Sequence, residues 1–136
     1  MLDNLRLAPV IFQAVVPGTR DVRVTVVGDK IFATEFDIER LDGFDYRMRL
    51  GEIPCRPHEL PAELETRVRG FMSRLALEYG GIDFRLTRDQ EYVFFEINTA
   101  GEFMYVEDRT GEPIAEAMAA HLAGGKPAYP KPKPAS

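Results

Sequence analysis

The chain has few of the features that mark secreted, membrane-spanning and nucleic-acid-binding proteins. It has one cysteine, Cys55, which excludes an internal disulfide and indicates a reducing, cytoplasmic location. No apolar run approaches the roughly 20 residues of a membrane-spanning helix, and the N-terminus lacks a basic segment followed by an apolar one. The net charge of −5 argues against a nucleic-acid partner, because non-specific binding to phosphate backbones requires a basic surface.

The sequence also lacks a nucleophilic catalytic set. Cys55 stands between Pro54 and Arg56, and we interpret it as a loop residue. His58 and His121 have no partner residues at metal-ligand or catalytic spacing, so we interpret both as structural. A Ser/His/Asp or Cys/His arrangement is therefore not expected.

Alternating apolar and polar residues predict strands in the first half of the chain. Residues 9–16 are rich in β-branched and aromatic residues and predict a strand. Residues 21–27 alternate valine with polar residues, and with residues 30–36 they predict a hairpin. The periodicity disappears over residues 37–59, which predicts a long polar loop of the kind that is often functional.

The second half predicts helix, hairpin and helix. Pro61 begins a helix with apolar residues at helical spacing as far as Tyr79, and Gly80-Gly81 ends it. Residues 82–87 and 92–98 predict a second hairpin, and a shorter helix follows at about 114–122. This order predicts an α+β fold, with a mostly antiparallel sheet and helices packed on one face.

The second hairpin brings two acidic side chains together. With a two-residue turn at Asp89-Gln90, the apolar residues pair on one face: Ile82 with Ile97, Phe84 with Phe95, and Leu86 with Val93. On the other face, Asp83 lies opposite Glu96, with Asn98 beside Glu96 and Arg85 opposite Phe94. Two carboxylates about 5 Å apart repel by roughly 3 kcal/mol at an effective dielectric of about 20.

Two explanations account for how this repulsion is offset. In the first, Arg85 on the same face or simple solvent exposure neutralises the pair. In the second, a hard cation binds there, because Asp, Glu and Asn oxygens without His or Cys are the ligands that Mg²⁺ takes, with phosphate and water completing its octahedron.

Several arginines accompany these carboxylates. Arg23 lies two residues after Asp21 on one strand, and the long loop contains "DYRMR" at 45–49. The guanidinium fork fits phosphate oxygens, so Arg85, Arg47 and Arg49 are candidate phosphate ligands. For each arginine taken alone, the alternative is a solvated surface charge.

The order of these motifs resembles the C-terminal half of the ATP-grasp ligase fold. It reads "FQ…DVRVTVVGDKIFA…DYR…helix…GGIDFRLT…EYVFFEIN…G" and covers Pro9 to Leu122. The nearest branch is the microviridin-type (graspetide) ligases that tailor ribosomal peptides, with the ribosomal-protein glutamate ligases next. "EINTAGEFMYVEDRTGEPIAEAMAAHL" is similar to the peptide-tailoring branch. The resemblance implies an ATP-grasp C-terminal subdomain over residues 1–124, followed by a Pro/Lys-rich extended tail over 125–136.

The resemblance also implies a cofactor set of ATP and two Mg²⁺ ions. The implied metal ligands are Asp83, Glu96 and Asn98, and the implied catalytic residues are Arg85 and Arg47. The implied nucleotide-binding residues are Gln13, Ala14, Val15, Asp21, Arg23, Arg47 and Arg49. Asp21 is implied near the ribose, and the segment after Gln13 near the adenine. Family members usually carry Glu where this sequence has Ala14.

The implied reaction is ATP-dependent ligation through an acyl-phosphate, in which an amine or hydroxyl displaces phosphate from an activated carboxylate, on a ribosomal peptide substrate. Such enzymes clamp ATP between two subdomains, and we expect a separate chain or the rest of a ligase to supply the N-terminal one. The 136-residue chain alone is therefore not expected to be catalytically competent. The alternative is a non-catalytic ATP-grasp-derived module that binds a peptide or self-associates through the edge of strand 9–16.

Overall fold

The structure, a computed structural model, describes residues 12–39 and 53–124. These residues form one five-stranded antiparallel sheet with the strand order β3-β2-β1-β4-β5. The elements, in chain order, are β1 (Arg20–Val27), β2 (Lys30–Asp37), β3 (Cys55–Pro57), α1 (Ala62–Leu75), β4 (Tyr79–Leu86), β5 (Tyr92–Asn98), α2 (Met104–Thr110) and α3 (Ile114–Gly124). The α+β class, the antiparallel sheet, both hairpins and the last helix are thus confirmed.

One face of the sheet packs against α1. The valines of β1 alternate along the strand, so Val22, Val24 and Val26 all point to this face and are buried. Val68 and Met72 of α1 are packed against them in the same hydrophobic core. The predicted packing of a helix on one face of the sheet is therefore confirmed for α1.

The opposite face of the sheet carries a second core. Val27 of β1 and Phe36 of β2 pack there with Val106 of α2 and Ile114 of α3. Phe36 pairs with Asp21 across the strands, so both residues lie on this face. Helices therefore cover both faces, and the expected packing on one face applies to α1 alone. The remainder of this second face carries the charged residues described below.

Helix α1 ends earlier than predicted, and the two glycines that were expected to end it are instead packed closely against other residues. The helix ends at Leu75 because Ala76 adopts a left-handed conformation, and Gly80 and Gly81 lie inside β4. A Cβ atom on Gly80 would lie 2.9 Å from Ile97 Cδ1, and one on Gly81 would lie 2.6 Å from Arg23 Nη2. The two glycines are therefore places of tight packing within a strand, and the prediction that they end the helix was wrong.

Three further elements differ from the sequence predictions. Residues 12–16, the described part of the expected strand 9–16, are in neither strand nor helix. No strand edge for self-association is present in these five residues. Strand β3 lies inside the expected loop 37–59, where it pairs with β2, and α2 was not predicted.

The ends of the chain and the loop arginines lie outside the described ranges. The predicted tail at 125–136 lies outside those ranges, and so do Arg47 and Arg49. Within residues 12–39 and 53–124, no helix is long and apolar enough to cross a membrane.

Candidate nucleotide and metal site

The hairpin of β4 and β5 has the predicted pairing at one end and a bulge at the other. Ile82 pairs with Ile97 and Asp83 with Glu96, as expected. A register shift follows Asp83, so that Phe84 pairs with Phe94, and not with Phe95. The predicted pairings of Arg85 with Phe94 and of Leu86 with Val93 are therefore wrong. The loop is also longer than two residues, because the Thr87 amide donates to the Glu91 carbonyl at its base, at 2.9 Å.

The bulge places two adjacent phenylalanines against different partners. The Phe94 ring packs edge-on against Phe71 of α1 and against Phe84, with centroid distances of 5.7 and 6.0 Å. The Phe95 ring instead lies beneath the guanidinium of Arg85, 5.5 Å from its central carbon. Phe95 therefore joins the charged residues of β1 and β4, where an unbulged hairpin would have buried it beside Phe84.

Arg23 of β1 and Asp83 of β4 form a buried ion pair on this charged face. The two residues are Cα partners, and Arg23 Nη1 lies 2.9 and 2.8 Å from the two carboxylate oxygens. Their side chains are only 8% and 12% exposed. The charge of Asp83 is thus offset within the protein by Arg23, not by Arg85 as the sequence alternative held.

Two glycines leave the space that the Arg23 guanidinium occupies. A Cβ atom on Gly81 or on Gly101 would lie 2.6 or 2.5 Å from Arg23 Nη2. Gly101 belongs to the loop after β5, and its carbonyl accepts a hydrogen bond from the Tyr79 hydroxyl. The loop that follows Asn98 is therefore held against the Arg23–Asp83 pair.

A second buried ion pair joins Asp21 of β1 to Arg85 of β4. Arg85 Nε donates to Asp21 Oδ1, and Arg85 Nη2 lies 3.4 Å from Asp21 Oδ2. Arg85 Nη1 also donates to the backbone carbonyl of Val16, at 3.0 Å. Both side chains are less than one-tenth exposed, so the expected phosphate ligand Arg85 is engaged by groups of the protein itself.

The expected metal ligands share one face of adjacent strands. Asp83 is opposite Glu96, Gly81 is opposite Asn98, and both Glu96 and Asn98 are exposed. The Asn98 side-chain oxygen accepts a hydrogen bond from the Ala100 amide at 2.9 Å, which holds it in the loop after β5. An ionised carboxylate has about four acceptor positions, so Asp83 can accept from Arg23 and still coordinate a cation.

This donor set fits a hard cation that keeps other ligands. In the described ranges, no group of three His, Cys, Asp or Glu side chains is arranged to hold a metal. Two carboxylates and one amide leave positions on an octahedral Mg²⁺ for water and phosphate oxygens, as Mg²⁺ sites of nucleotide-binding proteins do. The residues therefore fit a metal that arrives with phosphates better than one bound by the protein alone.

The expected nucleotide-binding residues are distributed over different parts of the chain. Asp21 and Arg23 lie on the charged face of β1, in the two ion pairs. Gln13, Ala14 and Val15 are exposed in the segment that approaches Arg85 through Val16. The geometry thus brings together six of the nine expected residues that the structure describes: Asp21, Arg23, Asp83, Arg85, Glu96 and Asn98.

A buried carboxylate network on the other face was missed. Glu35, only 4% exposed, contacts Arg20 at 3.3 Å, Arg56 at 2.8 Å and His58 Nδ1 at 2.9 Å. His58 Nε2 lies 2.7 Å from the Tyr92 hydroxyl. The network joins β1, β2, β3 and β5, which supports the structural interpretation of His58. Sequence spacing carries no signal for it, because its members come from four separate segments.

A second carboxyl lies where α2 meets α3. Glu112 accepts a hydrogen bond from the Thr34 hydroxyl of β2 at 2.9 Å. Burial raises the pKa of Glu112, and the hydrogen bonds from Thr34 and Thr110 partly oppose that rise. Burial likewise raises the pKa of the Cys55 thiol, which agrees with its interpretation as a residue that is not a nucleophile.

An apolar groove lies between α1 and the second hairpin, on the face away from the charged residues. Its cavity has a volume of about 290 Å³. The lining side chains include Leu64, Val68, Phe71, Phe84, Tyr92 and Phe94. Phe94 is 47% exposed despite its contacts, so the groove presents aromatic surface to the solvent.

Comparisons with known proteins give matches among solved structures only. No protein-family model matches the chain, and no curated protein does so. The macrocyclase MdnC from Microcystis aeruginosa MRC, solved with the precursor peptide MdnA, is 33% identical over 82% of this chain, with a TM-score of 0.71. A RiPP-associated ATP-grasp ligase from Chryseobacterium gregarium, in complex with ADP and a leader and core peptide, is 30% identical over 93% of this chain, with a TM-score of 0.80.

A third structure agrees in fold. The ATP-grasp ligase PsnB, complexed with a phosphomimetic variant of a minimal precursor, Mg and ADP, is 22% identical, with a TM-score of 0.63. The present chain spans 35%, 39% and 35% of the MdnC, Chryseobacterium and PsnB chains, respectively, which is less than half of each. The expected resemblance is confirmed as a structural match: this chain has part of the ATP-grasp fold of the RiPP-associated ATP-grasp ligases.

Proposed function

We propose that the chain is the nucleotide- and Mg²⁺-binding part of an ATP-dependent ligase that joins a carboxylate to an amine or hydroxyl on a peptide. The observation that carries this proposal is the pairing of Asp83 with Glu96, with Asn98 on the same face. The ADP of the Chryseobacterium ligase and the Mg and ADP of PsnB support a nucleotide and metal role for the shared fold. The precursor peptides of MdnC and the Chryseobacterium ligase support a peptide substrate.

Asp83, Glu96 and Asn98 would hold Mg²⁺. Bound Mg²⁺, of which two ions are expected, would supply positive charge to offset that of the ATP phosphates. The protein's own contribution is orientation: Arg23 fixes the Asp83 carboxylate, and Gly101 brings the loop after Asn98 against that pair. Arg47 and Arg49, outside the described residues, remain candidates for contacts with phosphate.

Calorimetric titration of ATP tests this function, with and without Mg²⁺. Wild-type protein is compared with Glu96→Gln, which keeps the size and shape of the side chain but removes its charge. Glu91→Gln, in the exposed loop of the same hairpin, is the matched control. We expect Mg²⁺-dependent binding that Glu96→Gln weakens at least tenfold and Glu91→Gln leaves unchanged. Equal Mg²⁺-dependent affinities for the wild type and Glu96→Gln would contradict the assignment.

Turnover is a separate question from binding. The chain spans under half of the ligases it matches, so we expect no peptide-dependent ADP release unless a second chain completes the nucleotide clamp. ADP release by this chain with a precursor peptide alone would show that these 136 residues are a competent enzyme.

A second candidate function is peptide binding without catalysis, which the apolar groove favours. The groove is open, and Phe71 and Phe94 provide aromatic surface for apolar side chains of a peptide. The same titration with an amphipathic precursor peptide separates the two functions. Peptide binding that survives Glu96→Gln but is lost in Phe94→Ser would support a groove that acts independently of the metal site.

A further inference from the structure

We propose that Arg85 is a positioning residue that fixes the hinge segment, residues 12–18, against the sheet, and that it does not contact phosphate. The inference rests on the proposed nucleotide site and assigns Arg85 a role different from the phosphate contact expected from the sequence. Three groups from different parts of the chain meet at its guanidinium: the Asp21 carboxylate, the Val16 carbonyl and the Phe95 ring.

The hydrogen bonds of Arg85 leave little capacity for a phosphate. Each of its three guanidinium nitrogens has a partner within the protein, two with Asp21 and one with Val16. Its side chain is 9% exposed and that of Asp21 is 7% exposed. These contacts use three of its five N–H donors, and a phosphate that drew the guanidinium out of this position would leave the Asp21 carboxylate buried without its cation, which is strongly unfavourable.

Gly18 gives an independent reason to assign the hinge segment to this contact. A Cβ atom at Gly18 would lie 2.5 Å from Arg85 Cδ and 2.6 Å from the Leu86 carbonyl oxygen. The backbone of the segment therefore lies directly on the Arg85 side chain and on β4, at a distance that only glycine permits. Arg85 holds the segment by a hydrogen bond at Val16 and by contact at Gly18.

The surroundings of Arg85 indicate that it lies beside the uncharged base of the nucleotide and not beside its phosphates. The groups that contact it are the backbone of the hinge segment at Val16 and Gly18 and the Phe95 ring, which is 44% exposed. These surfaces suit a planar base and not a phosphate. Loss of Arg85 should therefore weaken adenosine, ADP and ATP by the same factor, whereas loss of a phosphate ligand would weaken ATP far more than adenosine.

Two variants perturb this contact from opposite sides. Arg85→Lys keeps the positive charge but lacks the fork that reaches Asp21 and Val16 together. Gly18→Ala leaves both charged residues in the sequence and adds a methyl group that clashes with Arg85 and with the Leu86 carbonyl, so that the hinge segment must move away from them. Gly70→Ala in α1, where nothing lies within 4 Å of the added Cβ, is the matched control.

The first measurement is the ¹⁵N heteronuclear NOE of the hinge amides in the full chain, which needs no ligand. We expect wild-type and Gly70→Ala values similar to those of β1, and clearly lower values in Arg85→Lys and Gly18→Ala. The second measurement is the affinity for adenosine, ADP and Mg²⁺–ATP, where we expect losses of about tenfold that are equal for the three ligands.

Each outcome decides the inference. Unchanged hinge NOE values in Arg85→Lys would overturn it, even if no nucleotide binds and the proposed function itself fails. A loss in Arg85→Lys that increases from adenosine to ATP would also overturn it, and would restore Arg85 as a phosphate ligand. Lower NOE values together with an absence of nucleotide binding in the wild type would support the positioning role and contradict the nucleotide site.

Discussion

Replacement of Arg23 by Gln should strongly destabilise the fold, although the substitution lies on the charged face of the sheet. Arg23 Nη1 contacts both oxygens of Asp83, and the two side chains are 8% and 12% exposed. Removal of one partner from a buried ion pair costs about 3–5 kcal/mol, because the other charge stays buried. Glu96, opposite Asp83, adds repulsion once the arginine is gone.

Thermal and urea unfolding monitored by circular dichroism measure this effect. For a chain of this size, we expect the midpoint temperature of Arg23→Gln to fall by about 10 °C or more. Arg67→Gln is the control, because the Arg67–Glu63 pair is i,i+4 on α1 with both side chains over 70% exposed, and its loss should cost at most about 0.5 kcal/mol. Addition of Asp83→Asn to Arg23→Gln should cost less than the sum of the single variants. Additive effects, or a loss no larger than the control's, would refute the buried-pair reasoning.

Three further predictions concern other residues. Gly101→Ala would place its Cβ 2.5 Å from Arg23 Nη2, so we expect about 1–3 kcal/mol of destabilisation, against none for Gly70→Ala, in urea titrations. The raised pKa of Glu112 means that the fold favours the protonated form of its carboxyl. The stabilisation of the fold by that protonated carboxyl is therefore fully present below the unfolded-state pKa and is lost as the pH rises through the folded-state pKa. Glu112→Gln should accordingly be more stable than wild type at pH 7, with the difference vanishing near pH 4. The raised pKa of Cys55 predicts slower alkylation by iodoacetamide at pH 7.5 than for free cysteine, which mass spectrometry measures.

Much of the sheet follows from local patterns. Val22, Val24 and Val26 of β1 alternate with polar residues and Gly28 adopts a positive φ of 56° in the turn, so the first hairpin needs little beyond its own residues. The prediction that Gly80 and Gly81 end the helix was wrong because glycine both ends helices and permits close contacts within strands. Only the positions of Ile97 and Arg23, both distant in sequence, show which role applies here.

The candidate site was predictable up to the bulge. The opposition of Asp83 and Glu96 depends on register alone, and apolar pairing of Ile82 with Ile97 specifies that register. The shift after Asp83 has no local signal, because Phe94 and Phe95 are identical in hydrophobicity. Which phenylalanine faces the core depends on the space beside Phe71 of α1, which is a tertiary property.

The distribution of charge on this face bears on how a metal would bind. Arg23 already offsets the charge of Asp83, and Asn98 is neutral, so Glu96 is the exposed carboxylate among the three proposed ligands. Mg²⁺ loses its water reluctantly and is usually held by one or two carboxylates together with phosphates. We therefore expect Mg²⁺ alone to bind far more weakly than Mg²⁺ with ATP, because the phosphates supply the missing negative charge. Mg²⁺ binding of equal strength with and without nucleotide would refute this reasoning.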